Sequence, residues 1–333
     1  MSRSERSEDD NIMAQAVALQ QVPMVDFAPF LTGGPAERQA VADEIANACE
    51  MIGFFYLKGH GVAPSLRSAI FGQSASFFQQ PDDSKQDCRA TPDWYRGWVP
   101  SPRSETWSRD TRLFDQYRLQ LEWPGAARED DPHAGIFARA NRWPATMPAF
   151  REACEAWLAA MHNLSLELLR AFALGLGLPE NHFDGFFTAP PSQLSLLYYP
   201  PLPAGVDQDV FNTVSHTDEG PVTILMQDDV GGLEVKRRDG VWIQAPPIED
   251  AFTINVGDMM MWWSNGRFIS NYHRVRNQSG RERYSIPFFA NPDRDVVVGP
   301  VRELLDGDEP RYPYVRVEDH LVRFYKRLEA NAV

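Results

Sequence analysis

From Phe150 to Phe172 an apolar side chain recurs every three or four residues: Phe150, Cys154, Trp157, Met161, Leu164, Leu168 and Phe172. That period lays one stripe along a helix, so the pattern predicts a long helix over 147–178, ended by Gly175, Gly177 and Pro179. Shorter helices are predicted over 35–51, with Val41, Ile45, Ala48 and Met51 on one face, from Pro64 to about Gln80, and over 316–330, where Val317, Leu321, Phe324, Tyr325 and Leu328 are available to pack. Val22 to Phe27 reads as a short strand, and the apolar, glycine-bounded run from Gly53 to Val62 reads as a buried one. After an irregular stretch over 91–130, with a strand at 113–121, the pattern changes. From Gln193 onward it predicts strands at 193–199, 222–227, 233–235, 241–244, 251–256, 259–263, 269–275 and 284–290, with Asp239-Gly240 and Asn265-Gly266 as hairpin turns. Many short strands joined by tight turns point to a mainly β protein with flanking helices. A jelly roll is the architecture that would gather residues from distant strands around one interior.

The 333 residues suffice for a substantial core, and the formal charge of −14 sets an acidic surface against nucleic acid or an anionic membrane as partner. Cys49, Cys88 and Cys154 are odd in number and widely spaced, which fits free thiols in a reducing compartment rather than a disulfide framework. The first eleven residues are polar, and no apolar run approaches the length of a membrane span. A cytoplasmic protein is expected, monomeric or weakly homo-oligomeric.

Against that background the segment from Phe211 to Phe289 carries candidate chemistry. His216 and Asp218 are two residues apart, so on an extended segment both side chains leave the same face. His273 lies far downstream on another predicted strand, where a return strand would bring it across the sheet. Two imidazoles and one carboxylate are the ligand set of the facial triad for non-haem Fe(II), although three protein ligands would also suit catalytic zinc. Arg283 and Ser285 repeat the alternate spacing and present a guanidinium and a hydroxyl together, a pair suited to a carboxylate. The same parity continues to Pro287 and Phe289, which places Phe289 in a substrate pocket. The aromatic loop from Trp94 to Trp107 is expected to cover the pocket mouth, with Arg96 and Arg103 meeting an anionic substrate group and Tyr95 also on the substrate side; packing of the loop onto the sheet is the alternative. His60, His162 and His182 read as structural.

At these residues the chain resembles the Fe(II)- and 2-oxoglutarate-dependent oxygenases, in the branch that includes isopenicillin N synthase. The segment Gly53-Phe54-Phe55-Tyr56-Leu57-Lys58-Gly59-His60-Gly61-Val62 is similar to the family's amino-terminal signature, and Tyr198-Tyr199-Pro200-Pro201 matches another motif. The resemblance implies a double-stranded β-helix of the jelly roll, cupin-like kind, with an α/β amino-terminal region. It divides the chain into a disordered start over 1–20, a mixed region over 21–186 packing on the barrel, an oxygenase core over 187–299 and a closing segment and helix over 300–333. It further implies Fe(II) on His216, Asp218 and His273, and 2-oxoglutarate on Arg283, Ser285 and Tyr199, with O2 as second co-substrate. Oxidative decarboxylation of 2-oxoglutarate would then be coupled to C–H oxidation of a small metabolite of secondary metabolism. One departure is Leu197, where members often carry Asn. An oxidase that dispenses with 2-oxoglutarate, and a non-catalytic barrel, are the alternatives.

Overall fold

The two periodicities occupy separate layers. In the computed structural model, which describes residues 21–101, 113–123, 128, 130–201, 210–305 and 307–330, twelve strands form two facing sheets. They are β1 (Met24–Asp26), β2 (Phe54–Lys58), β3 (Gly97–Val99), β4 (Asp115–Gln120), β5 (Gln193–Tyr199), β6 (Thr213–His216), β7 (Val222–Gln227), β8 (Leu233–Lys236), β9 (Trp242–Gln244), β10 (Phe252–Val256), β11 (His273–Val275) and β12 (Arg283–Ala290). The larger sheet has eight strands in the order β1-β2-β10-β7-β12-β5-β4-β3, and the smaller has four in the order β6-β11-β8-β9. The fold is the expected jelly roll, with two open sheets rather than a closed barrel. The expected disordered start over 1–20 lies outside the described residues.

Alternation on the strands of the larger sheet separates two interiors. On β5, Leu194 and Leu196 join a core shared with Phe150, Trp157, Met161 and Phe172 of the helix Pro148–Gly175. Leu197 and Tyr199 face the other way, into a second cluster with Leu233, Val235 and Val275 of the smaller sheet. The long helix therefore covers the outer face of the larger sheet, and the inner face is left to enclose a site. Each fully buried Phe or Leu contributes roughly 1.5–3 kcal/mol relative to exposure, so the helical stripe is a main support of the sheet.

Two expected elements differ. The run 259–263 is not a strand: Asp258–Trp263 is a short helix. A short apolar run does not distinguish buried strand from buried helix, and here Asp258 N–H donates to the Asp218 carbonyl (2.7 Å) and Met259 N–H to that of Glu219 (3.3 Å), which ties the helix start to a neighbouring loop. The strand expected over 269–275 is confined to β11, because Ile269 N–H donates to Cys49 O (3.0 Å) instead of to a sheet partner. All three cysteines are buried and unpaired, and among the described residues no helix is long and apolar enough to cross a membrane.

Candidate active site

β6 and β11 run antiparallel with His273 directly opposite His216, which brings the two imidazole centroids to 4.2 Å. Asp218 lies two residues past the end of β6, so the loop and not the strand pleat aims it. Its Oδ1 sits 3.8 Å from Nε2 of each histidine. The other oxygen, Oδ2, accepts from the Thr223 hydroxyl (2.6 Å) and from Asn255 Nδ2 (2.7 Å). Both ring Nδ1 atoms face backbone carbonyls, that of His216 at Val214 (2.9 Å) and that of His273 at Asn271 (3.3 Å). With the Nδ1 protons donated there, the two Nε2 lone pairs and Oδ1 converge on one point, and the donor atoms of the three residues lie within 4.8 Å of one another. This donor set fits a divalent ion with open positions.

The electrostatics agree with the geometry. Burial pushes the Asp218 carboxyl up, but its attraction to His273 and His216 when these are protonated, together with the hydrogen bonds from Thr223 and Asn255, outweighs it and holds the group below its ordinary value. Burial, reinforced by His216 and opposed by Asp218, takes His273 down to about 4, so its imidazole is neutral and able to ligate at physiological pH.

Deeper along the inner face, Arg283 is completely buried. Its Nε donates to Gly231 O (2.7 Å) and its Nη2 to Gln227 Oε1 (2.7 Å), while Nη1 has no partner. The guanidinium lies over the ring of Tyr199 at 4.7 Å, and Arg283 and Tyr199 are paired across β12 and β5, as are Ser285 and Leu197. Among the described residues no carboxylate pairs with Arg283. A buried cation without a counter-ion is costly by several kcal/mol, and an anion delivered to Nη1 would offset that.

One cavity of about 140 Å³, room for a small organic molecule, is lined by the three candidate ligands together with Tyr199, Arg283, Ser285, Leu197 and Phe289. Phe54, from the signature segment, lines it too and sets its ring edge against His273 at 5.4 Å. Tyr95 and Arg96 do not line it. The Arg96 guanidinium is turned into the protein, where Gln120 Oε1 (3.0 Å), Phe137 O (2.9 Å) and Glu122 (3.4 Å) take its donors, and burial lowers it to about 10. Tyr95 is buried against Tyr325 at 4.5 Å. Arg103 and Trp107, on which the rest of the loop expectation fell, lie outside the described residues. Sequence reasoning missed Thr223, Asn255 and Gln227. The available signal was a polar residue at alternate positions in otherwise apolar strands, in Val222–Gln227 and Phe252–Val256.

Residues 190–292 match the model of the 2OG-Fe(II) oxygenase superfamily, and 22–146 match that of the non-haem dioxygenase in morphine synthesis N-terminal family. The chain is 32% identical to the 2-oxoglutarate-Fe(II) type oxidoreductase hxnY of Emericella nidulans, over 92% of this chain and 89% of that one. It is also 32% identical to the homoarginine-6-hydroxylase of Oryza sativa, over 91% and 95%. Among solved structures, a full-length Neurospora crassa protein in complex with alpha-KG and thymine superposes with a TM-score of 0.82 at 29% identity, covering 92% of this chain and 97% of that one. The chain thus belongs to the 2-oxoglutarate–Fe(II) oxygenase superfamily. It is a dioxygenase that uses Fe(II) and 2-oxoglutarate to oxidise a small molecule.

Proposed function

We propose that His216, Asp218 and His273 hold the Fe(II), and that Arg283 and Ser285 hold the distal carboxylate of 2-oxoglutarate with Tyr199 as a further contact. The bound iron supplies the capacity to activate O2 and oxidise an unactivated C–H bond. The chain's own residues bind and orient the reactants and exclude water. The observation that carries this reading is the unpartnered Nη1 of a fully buried Arg283 in the same cavity as the three ligand candidates. A hydrolytic zinc site would have no use for that second anion clamp. Leu197 offers no amide to the co-substrate, which leaves more of its binding to Arg283 and Ser285. Phe289, on the cavity wall, is assigned to the substrate side. In this reading 187–299 is the oxygenase core, 21–186 and 300–333 pack on it, and the protein works in the cytoplasm as a monomer or weak homo-oligomer without a nucleic-acid partner.

The test is calorimetric titration of 2-oxoglutarate into protein loaded with Mn(II) as a redox-inert ion. Arg283→Lys replaces a two-pronged donor by a point charge and is expected to weaken 2-oxoglutarate roughly ten- to a hundred-fold, about 1.5–3 kcal/mol. Unchanged affinity would show that Arg283 does not hold the 2-oxoglutarate carboxylate and would leave the pair to the substrate's own carboxylate.

A further inference from the structure

Beyond the lining of the cavity, the inner face of the larger sheet carries a second buried guanidinium that the 2-oxoglutarate site does not use. Arg118 on β4 pairs across the ladder with Ser195 of β5, a cavity-wall residue, and stands two positions from Gln116, another wall residue. It is 9% exposed, and among the described residues it has no ion-pair partner. Its only hydrogen bond there runs from Nε to Gln116 Oε1 (3.0 Å), so both terminal nitrogens have donors to spare. Its plane is fixed from below by the ring of Tyr95 at 4.2 Å, and Gly97, its partner on β3, adds no side chain to crowd it.

The neighbouring groups are arranged as donors too. Gln116 is oriented by Arg118, and its Nε2 donates to Ser195 Oγ (2.9 Å); Gln193 Nε2 donates to the same oxygen (3.2 Å). A hydroxyl that accepts two hydrogen bonds has its own proton left to give. The remaining walls on this side are Phe114, Leu197, Leu225 and Phe289. A cavity end walled by Gln116, Ser195 and apolar side chains, with a preoriented cation directly behind Gln116, matches a ligand with an apolar body and one anionic terminus.

We propose that Arg118, with Gln116 and Ser195, is the specificity-determining group for the oxidised substrate, and that this substrate is a small carboxylic acid. The proposal rests on the reading that Arg283 is taken by 2-oxoglutarate, which leaves a second anion to be recognised elsewhere. It also gives Tyr95 a part other than the direct substrate contact expected from the sequence: its ring positions Arg118.

The experiment uses the full chain with Mn(II) and saturating 2-oxoglutarate, titrated calorimetrically with matched acids and amides: benzoate and benzamide, phenylacetate and phenylacetamide, hexanoate and hexanamide. At least one acid should bind roughly tenfold or more tightly than its amide, and Arg118→Gln should bring the two together while 2-oxoglutarate still binds. Arg118→Met, which keeps the stem packed on Tyr95, should do the same and serves if the Gln variant folds poorly. No preference for acid over amide across the panel, including failure of every acid to bind, overturns the proposal, as does a preference that survives both variants. Acids that compete with 2-oxoglutarate instead of binding beside it also overturn it, since they would then sit on Arg283. A failure of the Arg283 reading shows separately, as 2-oxoglutarate affinity that Arg283→Lys leaves unchanged.

Discussion

At the scale of single residues, Asp218 shows how a site is prepared for an ion. One carboxylate oxygen is occupied by Thr223 and Asn255 and the other is held between two imidazoles, so rotation of the group is blocked before metal arrives. His216→Ala, Asp218→Ala and His273→Ala are each expected to abolish Fe(II) binding and turnover with unchanged circular dichroism. Full iron occupancy in any of them would remove that residue from the ligand set. Asn255→Ala acts one step further out and should weaken metal binding roughly ten- to a hundred-fold without abolishing it, a graded difference that metal titration resolves. His216, Asp218, His273, Arg283 and Ser285 could be singled out as candidates in the sequence because few residue types perform such chemistry and the spacings suited strands, and the structure brings them to one cavity. Thr223 and Asn255 were not, since threonine and asparagine in a strand are unremarkable until their partner is known.

At the scale of elements, the signature segment around β2 is held by backbone that only glycine adopts easily. Gly53 has φ of +72°, and a Cβ there would lie 2.0 Å from the Ile269 carbonyl oxygen. Just past β2, His60 stacks on Phe252 of β10 at 4.0 Å and accepts the Val62 N–H at Nδ1 (3.1 Å). It is a packed turn residue, as its sequence setting between glycines suggested. Burial, aided by Arg67, lowers its pKa from 6.5 to about 4. The folded state therefore resists a proton that the unfolded chain accepts, so stability is intact above about pH 6.5 and is lost as pH falls toward about 4. Solvent at the ring's edge limits the effect to about 1–2 kcal/mol. Urea midpoints at pH 7 and pH 5 should differ less in His60→Gln than in the parent. An equal drop in both would show that the imidazole does not carry this linkage.

At the scale of the whole molecule, a buried ion cluster fastens the carboxy-terminal helix Val317–Ala330 to the rest. Arg294, just beyond β12, donates to both oxygens of Asp131 (2.6 and 3.0 Å) and to Glu318 at the start of that helix. Removing the shared cation leaves the buried Asp131 and Glu318 carboxylates without it, so Arg294→Ala is expected to lower unfolding free energy by about 3 kcal/mol or more. Urea denaturation would check this, and a loss within experimental scatter would show that Arg128 and Arg316, both near Glu318, suffice. Nothing in the sequence around Asp131, Arg294 or Glu318 singles these residues out. What the sequence determined by itself was local and chemical: the helix stripe from Phe150 to Phe172, the change of period at Gln193, and a candidate set of metal and carboxylate ligands, because side-chain period and functional-group chemistry are written along the chain. Tertiary structure alone decided that 258–263 is a helix, that Arg96 is spent on Glu122 and Gln120, and that Arg118 stands beside the cavity wall. Those outcomes depend on which strands become neighbours and at what register, and that pairing follows from the summed packing of the whole molecule rather than from any segment.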